Sequence, residues 1–307
     1  MRRTSTTLAS VLGFGCCLLA APANSWAACG NTGVAVQILG SGGPFGQGRA
    51  SAGYLVWIDG VSRIMIDAGG GTFSNFHKAD ARVADLDLMA LSHFHPDHAS
   101  EIPAILWTQR GEMRVAGPSG SDEFPSVEEF LDGLFGSAGV FRVIGQRMSF
   151  ETRTVDVTAS QPTDVLSDGR VRVQGLGVPH GTVPAVGYRV DVGDVSVAFS
   201  SDQNGSNAAF TEFIEGVDVL VVHFAASEDA PASPSALHAK PSVWGQIATD
   251  ARVGTLVLSH LSETDASHPL AAGNHSGNDF ESSLEHLRSR YDGPLVVAED
   301  LMCVAVE

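Results

Sequence analysis

Lysine is almost missing from this chain of 307 residues, in which it occurs at two positions, Lys78 and Lys240. Acidic residues outnumber lysine and arginine by 35 to 18, which gives a net charge of −17. Proteins that follow a nucleic-acid backbone use many basic side chains to neutralise its phosphates. The composition therefore disfavours a nucleic-acid partner.

Long apolar runs are missing as well, because no stretch beyond the N-terminus approaches the roughly 20 residues that a membrane span requires. The N-terminus has the sections of a secretory signal peptide: "MRR", an apolar section over 8–21, and the small-residue segment "NSWAACG" (24–30) around the cleavage point. We expect cleavage after Ala27, export to the periplasm or the medium, and a mature domain of residues 28–307. Cleavage would change the net charge to −19, because it removes two arginines and no acidic residue.

Cysteine is scarce, and two of the four cysteines, Cys16 and Cys17, lie within the predicted signal peptide. The mature chain would keep Cys29 near its N-terminus and Cys303 near its C-terminus. Exported proteins meet an oxidising environment, in which two cysteines favour one disulfide. Sequence says nothing of the distance between the sulfur atoms, so a Cys29–Cys303 disulfide and two free thiols both stay open.

Apolar runs of strand length alternate with segments of helical periodicity through the rest of the chain, without repeats or long linkers. Predicted strands lie at 34–40, 53–60, 62–69, 86–93, 170–178, 185–193, 194–201, 217–224, 253–260 and 293–300. Predicted helices lie near 206–215, 241–251 and 278–290. This order predicts a single α/β domain of two related halves.

Three of the 11 histidines stand in "LSHFHPDHAS" (91–100), at the end of a predicted buried strand. The segment contains His93, His95, Asp97 and His98, and Pro96 stiffens it. Imidazole and carboxylate are ligands that zinc and similar divalent ions take in proteins. The segment therefore predicts a metal site at the carboxyl end of a strand, where α/β proteins commonly place their sites.

Three later strands also end near metal-binding side chains, His180, Asp202 and His260. An ion with an open position needs three protein ligands, so seven donors are enough for two ions. We expect two Zn²⁺ ions, and Mn²⁺ or Fe²⁺ also suit these donors. Asp67 and His223 close apolar strands too, and we expect them to form hydrogen bonds rather than to bind metal.

The pattern His-x-His-x-Asp-His after an apolar strand, followed by His180, Asp202 and His260, resembles the metallo-β-lactamase fold superfamily over residues 34–306. The resemblance implies an αββα sandwich with the metal ions at one edge. It also implies a division of the ligands: His93, His95 and His180 on one ion, Asp97, His98 and His260 on the other, and Asp202 on both.

Further segments look like the ribonuclease Z-like branch of that superfamily, which includes aryl sulfatases and cyclic-nucleotide phosphodiesterases. They are "LGSGGP" (39–44), "VPHGTVPAVGYRV" (178–190) and "LHAKPS" (237–242). The likeness makes His238 the expected proton donor to a leaving oxygen, and Asp97 a catalytic residue as well as a ligand. Lys240 either holds an anionic substrate group or is solvated.

The chain departs from true ribonuclease Z in three places. That family has His-Glu-Ala-Thr where this chain has "HFAA" (223–226), so the carboxylate that would orient His238 is missing. Its His-Ser-Thr pattern is replaced by "HAK" (238–240). His180 and Asp202 lie 22 positions apart, which leaves no space for the arm that grips tRNA.

These observations predict an exported hydrolase with two metal ions, in which a bridging hydroxide attacks a small anionic ester, either a phosphodiester or a sulfate ester. A homodimer is compatible with the sequence, and residues 117–168 are expected to shape the substrate pocket. The same fold leaves open a ribonuclease Z-type endoribonuclease, a β-lactamase and a lactonase. Alternatives of another class are a persulfide dioxygenase with one iron and a non-catalytic metal-binding protein.

Overall fold

Two seven-stranded sheets lie face to face in the computed structural model, which describes residues 29–45, 48–262 and 277–307. The first sheet contains β1 (Val34–Gly40), β2 (Gly53–Ile58), β3 (Val61–Ile66), β4 (Leu88–Ala90), β5 (Gly111–Pro118), β6 (Met148–Val155) and β14 (Cys303–Val306). Its spatial order is β14-β1-β2-β3-β4-β5-β6. Neighbouring strands are antiparallel from β14 to β3 and parallel from β3 to β6.

The second sheet contains β7 (Thr163–Asp168), β8 (Val171–His180), β9 (Val183–Val192), β10 (Val195–Phe199), β11 (Val219–His223), β12 (Thr255–Ser259) and β13 (Leu295–Val297). These strands are neighbours in chain order. They are antiparallel from β7 to β10 and parallel from β10 to β13. Because each sheet passes from antiparallel to parallel pairing, the structure confirms two related halves.

Helices cover the outer face of each sheet. The first group is α1 (Thr72–Lys78), α2 (Pro96–Ala99), α3 (Ile102–Leu106), α4 (Val127–Phe135) and α5 (Arg142–Gly145). The second is α6 (Ala208–Phe213), α7 (Ala232–Leu237), α8 (Pro241–Asp250) and α9 (Gly277–Arg288). Phe76 and Leu131 pack with the first sheet, whereas Phe210, Trp244 and Leu287 pack with the second.

Alternation along β1 shows how the layers form. Val34, Val36 and Ile38 join the core between the sheets, while Ala35 and Leu39 join the core under the first helices. Successive strand residues point to opposite faces, so a strand buried on both faces must be apolar almost throughout. The resulting layers are helix, sheet, sheet and helix, which confirms the predicted αββα sandwich and its single domain.

The last strand lies beside the first, because β14 pairs with β1 in antiparallel register from Val34–Val306 to Gln37–Cys303. Cys29 and Cys303 form a disulfide there, with their Cα atoms 5.6 Å apart. The structure therefore selects the disulfide over the two free thiols.

Four strands, β5, β6, β7 and β14, are not among those that the apolar pattern predicts. β6 shows why, since its sequence "MSFETRTV" is mostly polar and half-exposed at a sheet edge. The predicted signal peptide lies outside the described residues, so the domain boundary at residue 28 stays a prediction. Within the described ranges, we find no helix that combines the length and the apolar character needed to cross a membrane.

Candidate metal centre

The predicted donors gather where strands of both sheets end. His93 lies three residues after β4, His180 ends β8, Asp202 lies three residues after β10, and His260 directly follows β12. The carboxyl ends of parallel strands share one edge of a sheet, and the two sheets bring their edges together here. All seven side chains predicted as ligands therefore meet at one place.

The segment after β4 turns its side chains inward within a few residues. His95 precedes the short helix α2, Pro96 occupies its first turn, and Asp97 and His98 lie on that turn. Proline suits this position because its fixed φ matches a helix and its missing N–H would have no partner there. This turn places His98 on the buried side of the segment.

Three residues at or near the site, each just after a strand, have a left-handed backbone conformation. Asp67, Ser201 and His260 have φ values of 56°, 60° and 53°. Such values are uncommon for residues with a side chain and cost about 1–3 kcal/mol each. Packing of the surrounding strands holds this geometry.

A first group of donors consists of His93, His95, His180 and Asp202, with one potential ligand atom of each within 4.8 Å of the others. Nε2 of His93 lies 3.0 Å from Nδ1 of His95. Oδ2 of Asp202 lies 3.9 Å from Nε2 of His93 and 3.7 Å from Nε2 of His180. The group contains the three histidines expected on the first ion.

A second group surrounds the other side of Asp202. The Nε2 atoms of His98 and His260 lie 3.2 Å apart. Oδ2 of Asp97 lies 3.2 Å from Nε2 of His260 and 3.6 Å from that of His98. Asp202 lies 3.6 Å from His98 and 3.5 Å from His260, so it belongs to both groups.

The donors fit divalent ions on two grounds. Imidazole nitrogens and carboxylate oxygens are the ligands that zinc takes in open sites. In addition, Nε2 of His180 and Nδ1 of His260 are buried and have no hydrogen-bond partner. Buried polar atoms without partners are rare and require an explanation. A bound metal ion would be the missing partner of Nε2 of His180.

His223 is also part of the second group by distance, although the sequence predicts no metal ligand there. Its Nδ1 lies 2.7 Å from Oδ1 of Asp202, and its Nε2 lies 3.1 Å from the hydroxyl of Tyr54. Burial lowers the pKa of His223 to about 4, so the ring is neutral, with one N–H and one lone pair. Both are engaged by these neighbours, as a hydrogen-bonding role that orients Asp202 requires, and this role of His223 stays a prediction.

Asp67 contacts the imidazole of His98 and helps to orient it. Its Oδ2 lies 2.9 Å from Nδ1 of His98, and it accepts hydrogen bonds from the backbone N–H and the hydroxyl of Ser92. His180 is fixed in a similar way, because its Nδ1 lies 3.0 Å from the carbonyl oxygen of Leu237. Such outer partners set the orientation of a metal-binding imidazole, as predicted for Asp67.

The surroundings of Asp97 and Asp202 favour the ionised form of both carboxylates. Burial is the largest influence on Asp97 and opposes its ionisation, but the hydrogen bond from His260 and the nearby imidazoles of His98 and His260 together outweigh it and lower its pKa to about 2. Burial likewise opposes ionisation of Asp202, but the surrounding histidines, His260 foremost, hold its pKa well below the usual range. Both carboxylates are therefore anionic at neutral pH and suited to cations.

His238 lies beside this cluster, at the C-terminal end of α7. Its Nδ1 is buried without a hydrogen bond and lies 3.9 Å from Oδ1 of Asp202. Burial lowers the pKa of His238 to about 4, so its ring is neutral at neutral pH. The structure therefore places His238 at the site, and its role as proton donor stays a prediction.

An open cavity of about 380 Å³ lies over the donors. Its described lining consists of Pro44, Phe45, His95, Asp97, His180, Asp202, Ala225, Ser233, Pro234, Leu237, His238, His260 and Ser262. The sequence prediction that residues 117–168 shape the pocket is wrong for this lining, because the loop after β1 and helix α7 form the walls instead. Lys240 is also outside the described lining.

Comparison with known proteins agrees with this geometry. The sequence model of the Beta-lactamase superfamily domain matches residues 62–261. Ribonuclease Z of Nocardia farcinica is 27% identical over 304 residues, covering 82% of this chain and 91% of that protein. The probable metallo-hydrolase YhfI of Bacillus subtilis is 27% identical over 229 residues, covering 74% and 86%.

Solved structures show the same fold. The crystal structure of YhfI from Bacillus subtilis aligns with a TM-score of 0.66 and 21% identity, covering 88% of this chain and 98% of that one. The short form of human tRNase Z aligns with a TM-score of 0.64 and 18% identity, covering 89% and 99%. The chain is therefore a ribonuclease Z-like member of the β-lactamase superfamily, a metallo-hydrolase with the metallo-β-lactamase fold.

Proposed function

We propose that the protein is an exported hydrolase that uses two divalent metal ions, preferably zinc, to cleave small phosphodiesters or sulfate esters. The observation that carries this proposal is the pair of donor groups joined by Asp202 beneath an open cavity. A single ion would leave the donors of one group without a metal to bind. Two ions use all seven.

The ligands divide as the distances suggest. His93, His95 and His180 would hold one ion, and Asp97, His98 and His260 the other, with Asp202 between them. Bound ions would polarise the ester oxygens and lower the pKa of water from about 15.7 towards roughly 7. Asp67 and His223 keep His98 and Asp202 in place for this task.

Among the residues that the structure describes, His238 is the group best placed to assist the leaving oxygen. It lines the cavity, and its ring centroid lies 5.3 Å from that of His180 and 6.0 Å from that of His260. A neutral imidazole donates a hydrogen bond through its single N–H, and a protonated one transfers a proton. Either action stabilises a departing alkoxide, and the second requires that bound substrate raise the pKa of His238.

The short connections in the second sheet and the negative net charge of the protein both favour a small substrate. β8 and β9 are joined by a tight turn at residues 181–182, and β10 follows β9 after another short turn. No arm projects between His180 and Asp202 within these described residues. Together with two lysines and a net charge of −17, this favours small substrates over tRNA.

Export is supported by the N-terminal sequence and by the disulfide. Disulfides persist in oxidising compartments and are rare in the cytosol. Expression of the full chain in a bacterial host, followed by fractionation and mass analysis, tests the proposal. We expect a periplasmic or secreted protein that begins at residue 28, and a full-length cytosolic product would contradict this.

The decisive assay uses protein from residue 28 onward, loaded with Zn²⁺ or Mn²⁺. Substrates are bis(p-nitrophenyl) phosphate, p-nitrophenyl sulfate, a lactone, a cephalosporin and precursor tRNA. We expect hydrolysis of the diester or the sulfate, loss of that activity in His95→Ala, and retention in the exposed control His286→Ala. Preferred, salt-sensitive cleavage of precursor tRNA would establish the ribonuclease alternative, which the Nocardia relative favours. One iron per chain without hydrolysis would favour a dioxygenase.

A further inference from the structure

The cavity has two kinds of wall. Its floor consists of the predicted metal donors, of which Asp202 and His260 are almost fully buried. Its sides come from Pro44 and Phe45 of the loop after β1, and from Pro234 and Leu237 of helix α7. These four side chains are apolar, so the space beside the reacting centre suits an apolar group.

Both apolar walls are fixed to the site. Asp300 accepts hydrogen bonds from the backbone N–H of Ser41 and of Ala50, which lie on either side of Phe45 in the chain. The carbonyl oxygen of Leu237 contacts Nδ1 of His180. A side chain at residue 181 would lie 2.7 Å from Leu237, so Gly181 lets this wall pack closely.

Basic side chains are absent from the described lining of the cavity. It contains no lysine or arginine, and the sequence has none at residues 46–47 and 263–276, which follow Phe45 and Ser262 in the chain. Arg49, in the same loop, donates hydrogen bonds to the hydroxyl of Ser41 and the carbonyl oxygen of Ala298. Metal ions would therefore supply the positive charge that a substrate meets.

This charge is limited because Asp97 and Asp202 also line the cavity. Two divalent ions facing two carboxylates keep two positive charges, which one hydroxide and one singly charged ester neutralise. A doubly charged ester would leave a net negative charge beside Asp97 and Asp202, and the described lining offers no basic side chain to offset it, so the dianion would bind less favourably.

From these walls, we propose that the cavity selects esters with a single negative charge and an aromatic or other apolar leaving group, and discriminates against dianionic monoesters. The inference rests on the proposed function, because it describes the substrate of that same site. It identifies Phe45 and Leu237 as residues that determine specificity.

Binding of phosphate esters to the metal-loaded protein tests the proposal without relying on turnover. Isothermal titration calorimetry compares diphenyl phosphate, dimethyl phosphate and the dianion phenyl phosphate at pH 8. We expect diphenyl phosphate to bind at least about tenfold more tightly than dimethyl phosphate, in keeping with burial of an aromatic ring. Phenyl phosphate is expected to bind more weakly than diphenyl phosphate.

Two pairs of variants assign these preferences to the walls. Phe45→Ala should reduce the preference for diphenyl over dimethyl phosphate severalfold, whereas Phe73→Ala, an exposed phenylalanine outside the lining, should not. Ser233→Lys adds a cation to the rim and should improve phenyl phosphate binding. Ser235→Lys adds the same charge to α7 outside the lining and should have little effect.

The outcomes separate this proposal from the proposed function. Equal or tighter binding of phenyl phosphate, or a preference that Phe45→Ala leaves unchanged, would overturn the selectivity while ester hydrolysis could still be observed. Selective binding of diphenyl phosphate without hydrolysis of any ester would instead overturn the proposed function and support the selectivity. Failure of all three phosphates to bind would overturn the selectivity, and it would overturn the proposed function as well if p-nitrophenyl sulfate is not hydrolysed.

Discussion

At the scale of single residues, Asp202 connects the two donor groups, and its orientation depends on His223. His223 lies 2.7 Å from Asp202 on one side and 3.1 Å from the Tyr54 hydroxyl on the other, and Tyr54 also bonds to Ser259. The chain of hydrogen bonds runs into the core between the sheets, where Tyr54 is fully buried. Core packing thereby fixes a carboxylate that both ions would share.

We predict that His223→Ala weakens the binding of both ions by about 10- to 100-fold, the range found when outer partners of metal ligands are removed. Competition with a chromophoric chelator measures the affinities. His286→Ala, an exposed histidine, is the control. Unchanged affinity in His223→Ala would show that Asp202 holds its position without this contact.

His260→Ala tests the division of the ligands. We expect metal content to fall from about two ions per chain to about one, because His93, His95, His180 and Asp202 remain intact. Turnover should fall strongly, since bridging geometry is lost. Elemental analysis measures the content, and a wild-type protein that saturates near one ion would contradict the assignment.

At the scale of elements, the loop after β1 and helix α7 are held by few but specific contacts. Both carboxylate oxygens of Asp300 accept hydrogen bonds from the loop, Oδ1 from Ser41 and Oδ2 from Ala50. The backbone of the loop also meets the end of β12, where Leu261 donates to Ser41. The loop is therefore a defined wall of the cavity.

Asp300→Asn should lower the free energy of unfolding by about 2 kcal/mol, because hydrogen bonds to a charged acceptor contribute about 1.5–3 kcal/mol each and the amide keeps part of them. Ester turnover should fall while metal content stays near that of the wild type. Urea denaturation and elemental analysis provide the two readouts. Asp87→Asn, which alters a half-exposed ion pair with Arg63, should cost less than about 1 kcal/mol.

At the scale of the whole molecule, the Cys29–Cys303 disulfide closes a loop with a sequence separation of 274 residues. Closing so long a loop restricts the unfolded chain strongly, and the entropy model gives at most about 5 kcal/mol. It also secures β14, which forms an edge of the first sheet.

We expect the double variant Cys29→Ser, Cys303→Ser to unfold at lower urea concentration, with a loss of about 2–5 kcal/mol. Reduced wild-type protein should match the variant, which separates loss of the bond from the effect of the substitutions. Titration of thiols in denatured, unreduced protein from residue 28 onward gives the direct check. Two free thiols would contradict the disulfide.

Prediction from sequence succeeded for strands whose residues follow a clear apolar pattern. The apolar strands β1, β2 and β8–β12 were predicted closely, because strands buried on both faces are continuous apolar runs. β6 and β7 were not predicted, because a half-exposed strand with polar residues lacks that signal. His223 could have been found as a partner of Asp202 from its position at the end of a buried strand, but its distance from Asp202 depends on pairing between β10 and β11.

From the sequence alone, the alternation of strands and helices predicted an α/β domain, and the resemblance carried by His-x-His-x-Asp-His indicated the αββα sandwich and the candidate donors. The tertiary structure decided how the remaining groups meet. Asp202 between two donor groups, Asp300 under the loop, Phe45 and Leu237 over the site, and Cys29 beside Cys303 are all distant in sequence. Local periodicity specifies which residues a strand buries, but contacts between distant segments arise when the two sheets pack together.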